Sequence, residues 1–251
     1  MATSHGKFNF GASTPSGVHA PSATPDGDGG VIVIFNMNAG KATSGWDQIM
    51  TLPRCLRLEG QEQLSIEPAG DVESLRGGHQ HVAATALPAN REVVLETVHG
   101  NAMELAIEID PKDTPLVEVN VLRSPNSEEF TRIAFYRDRG LRYRSELGQP
   151  RRPREERHSL ITLDTSYASI LPDALSRAPE TAPLRFAAGE TLNLRVFVDR
   201  SVVEVFVNGQ QCVAARVYPG REDSLGVSLR AQGQDALLVG LDGWQMNSIY
   251  P

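Results

Sequence analysis

The sequence predicts an all-β protein built as an antiparallel β-sandwich, and three observations carry that prediction. Residues 103–109 and 192–198 alternate apolar and polar side chains with a period of two. Such alternation places one set in a core and the other toward solvent, as in a half-solvated antiparallel sheet. Asn208-Gly209 joins two such stretches and indicates a tight hairpin, because both residues tolerate positive φ. No long amphipathic helix pattern intervenes, and many short strands separated by turns are typical of a sandwich or barrel.

The elements are expected in the following order. Residues 1–30 are rich in Gly, Ser, Thr, Pro and Ala, and the run 25–30 predicts a turn, since Gly supplies positive φ and Asp hydrogen-bonds its own backbone. The β-branched run 31–35 predicts a buried strand, with a second short strand at about 47–52. Because a lone hairpin is marginally stable in water, this one must pack on something else. The remaining expected elements are strands at 103–109, 117–121, 192–198, 203–207, 212–218, 225–229 and 237–241, and a short helical turn at about 167–175.

Composition limits the classes of function. The 251 residues suffice for one large β domain, or for a domain with a fragment of another. The net charge of −7 makes the chain a poor candidate for binding nucleic acid or an anionic membrane. No apolar run reaches the roughly 18 residues of a membrane helix. The first ten residues lack a cationic start followed by an apolar stretch, so we expect no secretory signal and favour a cytoplasmic location.

The residues that commonly bind metals are few. Cys55 and Cys212 are too few for a metal cluster, and we interpret them as small, partly buried apolar side chains rather than as a disulfide. His79 and His81 would place two imidazoles on one face of a strand, with no third ligand nearby in the sequence. Gly27 to Gly30 lacks the Lys-Ser/Thr ending of a phosphate loop. We therefore predict neither a metal site nor a cofactor.

One C-terminal segment carries a specific motif. Residues 199–208 read Asp-Arg-Ser-Val-Val-Glu-Val-Phe-Val-Asn, and this segment resembles the "Asp-Arg-Ser-x-Val-Glu-Val-Phe-x-Asn" close of glycoside hydrolase family 32, the invertases, inulinases and levanases. The tail 244–249 is similar to the family's "Trp-x-Met-x-Ser-Ile" ending. The resemblance covers roughly residues 15–251. Further segments that resemble the family are 45–54, 64–68, 73–76 and 215–219.

The resemblance implies a domain organisation. In that family a five-bladed β-propeller carries the active site, and a jelly-roll-like, concanavalin-type two-sheet sandwich packs beside it. Residues 1–54 would then be a remnant of the last propeller blade with a flexible N-terminus. Residues 55–251 would be the linker and the C-terminal sandwich. A partial blade also accounts for the isolated hairpin, because its partner strands would belong to other blades.

The resemblance also implies what catalysis needs. Retaining glycoside hydrolysis uses two carboxyl groups about 5–5.5 Å apart. The family supplies its catalytic residues from "Asn-Asp-Pro-Asn", "Glu-Cys" and "Arg-Asp-Pro" motifs, and none of these occurs in the sequence. We therefore assign no catalytic residue and predict that this chain alone is inactive, although the family is a glycosidase family of the β-fructofuranosidase type.

Three acidic residues, Asp138, Asp199 and Glu204, are considered as candidates for a catalytic role. Arg137-Asp138-Arg139 lacks the proline of the family motif and is interpreted as a surface turn. Asp199 is expected at a hairpin turn, where Asp commonly caps the backbone. Glu204 lies on the strand face opposite Val203 and Val205, so we expect it in solvent or at an interface.

Two aromatic residues and one loop are the remaining candidates for a binding site. Trp46, at the expected exit from the propeller, is the one weak candidate for substrate binding, because it would line a cleft there. Trp244 is expected in the core or at a domain interface. The segment 149–158, dense in Arg, Pro and Glu, is interpreted as a solvated loop.

Three functional hypotheses follow. The first is the sandwich module of a β-fructosidase that cleaves sucrose or fructans, itself non-catalytic and acting as a structural, cleft-walling or oligomerising part. The second is a stand-alone carbohydrate-binding, lectin-like sandwich, which titration with fructans and sucrose would distinguish. The third is one half of a split fructosidase, with a propeller domain supplied in trans. The partners expected are a fructan or sucrose-type carbohydrate, a propeller domain, or a second copy in a homodimer through the propeller-facing patch or an open sheet edge.

Overall fold

The described residues of the chain form three antiparallel β-sheets. The computed structural model describes residues 17–45, 48–60, 63–144, 154–175 and 177–249, with side chains left out at 141–144 and 154–157. Two of the sheets face each other as a sandwich, and a smaller sheet formed by the N-terminal part packs against one of them. The predicted all-β antiparallel sandwich is therefore confirmed.

The N-terminal part forms a five-stranded sheet in the order β1-β2-β4-β5, with β3 pairing on β2. The predicted hairpin is present where β2 pairs with β3, and β4 and β5 extend it. The first strand was not expected, because residues 18–25 lie in a stretch whose composition favours turns. The strands are β1 (Val18–Pro25), β2 (Val31–Met37), β3 (Ile49–Met50), β4 (Arg54–Glu59) and β5 (Gln63–Pro68).

The predicted division between residues 54 and 55 falls at the start of β4. That strand pairs with β2 on one side and with β5 on the other, so the hydrogen-bonded sheet continues to Pro68. The division between a propeller remnant and a sandwich stays a prediction.

The sandwich has one sheet of six strands and one of seven. The six-stranded order is β13-β12-β11-β10-β17-β8, and the seven-stranded order is β16-β15-β14-β9-β18-β6, with β7 pairing on β18. The strands of the six-stranded sheet are β8 (Glu92–His99), β10 (Leu116–Arg123), β11 (Thr131–Arg144), β12 (Arg154–Asp164), β13 (Glu180–Leu184) and β17 (Gly226–Gln232). Those of the seven-stranded sheet are β6 (Arg76–Val82), β7 (Thr85–Leu87), β9 (Ala102–Asp110), β14 (Leu192–Asp199), β15 (Val202–Val207), β16 (Gln211–Arg216) and β18 (Ala236–Met246).

The inner faces of these two sheets make one continuous core. The alternating residues of β9, β10 and β14 are buried as their period predicts; Leu105, Val119 and Val196 are at most 1% exposed. Asn208 and Gly209 have φ of +47° and +63°, as expected for the hairpin between β15 and β16.

Bulges change two of the expected details. The side chains of residues 237, 239 and 241 were expected to share the core face of their strand. They do not, because the register of β18 against β9 shifts between Leu238 and Gly240. Leu238 and Leu241 therefore face the core, whereas Val239 is 37% exposed. The segment 137–139 is not a turn between strands but lies within β11, at a register shift where Asp138 has a φ of +50°.

In the part of the chain that the structure describes, helical structure is confined to a short 3-10 turn at Val72–Leu75, where the Asp71 carboxylate accepts a hydrogen bond from Ser74 N at 3.2 Å. The helical turn expected at 167–175 is absent from the described residues there, which form hydrogen-bonded turns instead. No helix within the described ranges has the length and apolar character needed to cross a membrane.

Candidate functional site

The strand that carries the C-terminal motif is buried on both faces. In β15 the residues 203, 205 and 207 point into the sandwich core, so 202, 204 and 206 point outward. The outward set is nevertheless buried, because the five-stranded sheet packs over it. Of the two positions expected for Glu204, the interface is therefore observed and solvent is excluded, since the residue is 2% exposed.

Glu204 forms an ion pair across this interface. Nη2 of Arg54, on β4, lies 2.9 Å from Oε2 of Glu204, and both side chains are at most 2% exposed. The backbone N–H of Leu52 donates to Oε1 at 2.5 Å. The carboxylate therefore accepts hydrogen bonds at both oxygens from the five-stranded sheet. A buried charge needs such partners, because removing a carboxylate from water is costly.

Aromatic rings frame the guanidinium group. Cζ of Arg54 lies 5.2 Å from the ring centroid of Phe35 and 5.9 Å from that of Phe206. One ring belongs to the five-stranded sheet and the other to the sandwich. Both distances fall in the range of a cation–π contact, which is stronger when the site is dry.

Two apolar clusters flank the ion pair, and each contains residues of both units. In the first, Val33, Phe35 and Met37 of β2 pack with Val202 and Ala214. In the second, Ile66 of β5 and Val72 pack with Phe197, Phe206 and Cys212. These clusters exclude water on both sides of the pair.

Burial shifts the pKa values of two groups in the interface. Burial raises the pKa of Glu204 above its ordinary value, against the opposing effect of Arg54 and of the Leu52 N–H. Burial also raises the pKa of the Cys212 thiol to about 12, so the thiol is protonated at neutral pH. A protonated buried thiol is a poor nucleophile, and Cys212 acts as an apolar packing residue.

The loop after β2 makes a further contact with the sandwich. The Tyr218 hydroxyl accepts a hydrogen bond from Gly40 N at 2.9 Å, and Leu175 N donates to Gly40 O at 2.6 Å. Lys41 forms an ion pair with Asp173. The five-stranded sheet is thus held to the sandwich along its face and at this loop.

This arrangement is suited to holding two units together rather than to proton transfer. A glycosidase pairs two carboxyl groups across its substrate. Here the carboxylate of Glu204 is occupied by Arg54 and Leu52 N. The buried carboxylates of Glu104, Glu118 and Glu129 are likewise held by guanidinium, backbone N–H or hydroxyl groups.

The other predicted site residues lie apart from this interface. Trp46, the candidate for substrate binding, lies outside the described residues. Asp199 is exposed at the end of β14, before the turn at Arg200. His79 and His81 lie on one face of β6, as expected, and both bond to the same oxygen, Oδ1 of Asp242, at 2.8 and 2.9 Å. The described part of the chain contains no group of three side chains arranged to hold a metal ion.

Trp244 and the two cysteines take no part in the Arg54–Glu204 ion pair, and part of the segment 149–158 forms a strand. Trp244 is half-buried on the outer face of the seven-stranded sheet, with Arg76 Cζ 4.0 Å from its ring centroid and His79 stacked at 5.2 Å. Cys55 and Cys212 are free thiols, one partly and one fully buried. The solvated loop expected at 149–158 is wrong for residues 154–158, which belong to β12 and pair with residues 140–144 of β11; residues 149–153 lie outside the described part of the chain.

The sequence of this chain is similar to those of known glycoside hydrolases. The family model of the C-terminal region of glycosyl hydrolases family 32 matches residues 71–245. A levanase of Bacillus subtilis (strain 168) is 29% identical over 196 residues, which cover 75% of this chain and 26% of the levanase. A raffinose invertase of Escherichia coli is 28% identical over 239 residues, which cover 91% of this chain and 42% of the invertase. The chain thus spans less than half the length of both relatives.

Solved structures share the fold. Fructan 1-exohydrolase IIa from Cichorium intybus matches 95% of this chain and 51% of its own, with a TM-score of 0.76 and 15% identity. An exo-inulinase from Aspergillus awamori matches 92% of this chain and 43% of its own, with a TM-score of 0.69 and 17% identity. Together with the family match over most of the chain, these likenesses lead to one conclusion: the chain belongs to glycosyl hydrolase family 32, and residues 71–245 correspond to its C-terminal domain.

Proposed function

We propose that this chain is the sandwich module of a β-fructosidase-type glycoside hydrolase, and that it acts as a structural partner of a catalytic propeller without cleaving glycosidic bonds itself. The parent activity would be the hydrolysis of sucrose or fructans. The five-stranded sheet would be the end of the propeller, and the remaining blades would be supplied by another part of the enzyme or by a second chain.

The buried Arg54–Glu204 pair carries this proposal. Its two side chains lie on different units, and apolar clusters seal it on both sides. A solvent-excluded pair of this kind fixes the relative position of the units, because separating them would leave two uncompensated charges. The motif glutamate therefore supports a role in domain assembly.

The outer face of the five-stranded sheet supports the second half of the proposal. Because Val33, Phe35 and Met37 face the sandwich, alternation places Ile32 and Ile34 on the opposite face. Met50 joins them, since it pairs with Asn36 and is 47% exposed. These three apolar side chains share the face with the Asp26–Arg57 ion pair, and a neighbouring propeller blade would cover them.

Mixing this chain with a separately produced family-32 propeller chain tests the proposal. We expect a complex in size-exclusion chromatography, and fructose release from sucrose or raffinose above that of the propeller chain alone. Met50→Lys should weaken the complex, whereas Val94→Lys, an exposed apolar position on β8, should not. Absence of a complex at the highest soluble concentration would contradict the proposal.

A further inference from the structure

A wide groove runs over the outer face of the seven-stranded sheet, beside the part of that face that the five-stranded sheet covers. Its volume is about 1060 Å³, enough for an oligosaccharide-sized ligand. The floor is formed by β9, β14 and β18, and the β4–β5 hairpin forms one wall. The groove does not include the buried Arg54–Glu204 pair.

The strand register brings a row of side chains together across the floor. Asp242 on β18 and Arg195 on β14 are both direct partners of Ala106 on β9, so they lie on either side of it. His81 extends the row beyond Asp242. Since neighbouring strands lie about 4.8 Å apart, Asp242 and Arg195 are separated by about 10 Å at the backbone. The small side chain of Ala106 leaves a depression between them.

The two sides of this depression are held rigidly. Oδ1 of Asp242 accepts hydrogen bonds from His79 and His81. Arg195 donates from Nε and Nη2 to Glu104, and from Nη2 to Glu73. These contacts leave Oδ2 of Asp242 and Nη1 of Arg195 with no hydrogen bond to a described residue. One side therefore offers a fixed acceptor and the other a fixed donor.

A second row of polar groups lies next to the first. Glu108 on β9 pairs with Gly240 on one side and with Asn193 on the other. Asn193 is fixed in turn, because its N–H donates to Oδ1 of Asn208 at 2.8 Å and its Nδ2 donates to Thr191 O at 3.2 Å. Glu108 and Asn193 are exposed and line the groove, so both add polar groups to its floor.

The lining selects the chemistry of the ligand. Its carboxylates, at residues 59, 67, 108, 190 and 242, outnumber its arginines at 57 and 195, which disfavours an anion. Most of the large apolar side chains in the lining are covered, since Ile107, Leu194 and Phe206 are each only 2% exposed; Val239, at 37%, offers an apolar contact at the edge of the polar rows. Carboxylate, amide and guanidinium groups at fixed spacing match a neutral ring that carries several hydroxyl groups.

We propose that this groove binds a neutral saccharide, with one sugar ring seated over Ala106 between Asp242 and Arg195. The choice of fructose-containing oligosaccharides as the ligand rests on the proposed function, whereas the site itself rests on the geometry of the sandwich. Binding here is non-catalytic and would hold a fructan chain on the module.

Calorimetric titration of the full chain with fructo-oligosaccharides, and with cello-oligosaccharides of equal length, tests the proposal. We expect fructo-oligosaccharides to bind with a Kd near or below about 1 mM, which corresponds to about −4 kcal/mol. Ala106→Leu, which fills the depression, should raise the Kd at least about tenfold. Ala86→Leu places the same side chain at an exposed position of β7 in the same sheet and should leave the Kd unchanged.

A second pair of variants tests the polar groups. Asp242→Asn should weaken binding, whereas Asp113→Asn removes the same charge at an exposed position outside the lining and should not. Absence of binding, or a Kd that Ala106→Leu leaves unchanged, would overturn the proposed site, and equal affinity for cello-oligosaccharides would overturn the choice of fructose-containing ligands. None of these outcomes bears on propeller docking, because the complex with a propeller chain is measured without a saccharide.

Discussion

The sandwich and the five-stranded sheet are both antiparallel, yet they bury their apolar residues in different ways. The sandwich encloses one continuous core between its own two sheets. The five-stranded sheet buries one face, in a contact to which the sandwich also contributes residues. A sheet must bury its apolar face against another layer. The sandwich therefore has a core of its own, whereas the five-stranded sheet buries its apolar side chains only against the sandwich.

The largest expected effect comes from breaking the contact between these two units. Glu204→Ala leaves Arg54 buried without its carboxylate, and removal of one partner of a buried pair costs about 3–5 kcal/mol. Urea unfolding should show this loss, and amide hydrogen exchange at Val33 and Phe35 should accelerate more than at Val119 in the sandwich core.

The double variant Arg54→Met with Glu204→Leu sharpens the same comparison. Replacing both charges by apolar side chains leaves no unpaired group, so most of the lost stability should return. A double variant as unstable as Glu204→Ala would show that the charge pair is not what joins the units.

A smaller effect is expected within the sandwich, at Glu129. This carboxylate is fully buried and accepts hydrogen bonds from Ile170 N, Gly220 N, Arg221 N and Ser224 Oγ, at 2.6–3.1 Å. Although burial acts in the opposite direction, these donors lower the pKa of Glu129 below its ordinary value. Glu129→Gln should destabilise the protein by about 2 kcal/mol at neutral pH, because hydrogen bonds to a charged group are lost.

The pH dependence of this variant follows from the direction of the shift. A lowered pKa in the folded state means that Glu129 stabilises the fold above its unfolded pKa, about 4.3, and that this contribution is lost as the pH falls toward the folded value. The stability difference between the wild type and Glu129→Gln, measured by urea unfolding between pH 3 and 7, should shrink in acid. A difference that grows as the pH falls would contradict the assignment.

Self-association tests the second face of the five-stranded sheet and should leave stability nearly unchanged. If Ile32, Ile34 and Met50 form an uncovered apolar surface, the isolated chain should associate at high concentration. Met50→Lys should reduce association in light scattering, while the matched Val94→Lys on the sandwich should not. A clean monomer of the wild-type chain at high concentration would count against an exposed docking face.

The smallest perturbation is chemical labelling of the two thiols. Burial raises the pKa of both thiols, that of Cys212 to about 12, but Cys55 is partly exposed whereas Cys212 is fully buried in the interface. Iodoacetamide at pH 8 should therefore modify Cys55 and spare Cys212. Glu204→Ala, by loosening the contact, should make Cys212 reactive, and equal labelling of both thiols in the wild type would show that the interface is open.

Much of the sandwich can be predicted from the sequence, because the alternation that buries Leu105, Val119 and Val196 is a local pattern. The bulge in β18 could not be predicted from a local pattern. It depends on how that strand pairs with β9, and it turned Val239 outward. The strand Val18–Pro25 was missed because its Gly-, Pro- and Ser-rich surroundings favour turns, while pairing with β2 decides its conformation.

Only part of the candidate site could be predicted from the sequence. Alternation placed Glu204 on the outer face of its strand, but the partner that buries it, Arg54, lies 150 residues away. Likewise, the two histidines on one face of β6 could be predicted, whereas their shared contact with Asp242 depends on a strand more than 160 residues further on. Pairing between distant strands is a property of the fold, and no short motif encodes it.

Bond cleavage gives the most direct test of the central claim, that this family-32 chain assembles and binds but does not hydrolyse. Purified chain is incubated with sucrose, raffinose, levan and inulin, and free fructose is measured over time at several chain concentrations. The account predicts no release above the buffer control with any substrate. Release that rises in proportion to the chain concentration would contradict it.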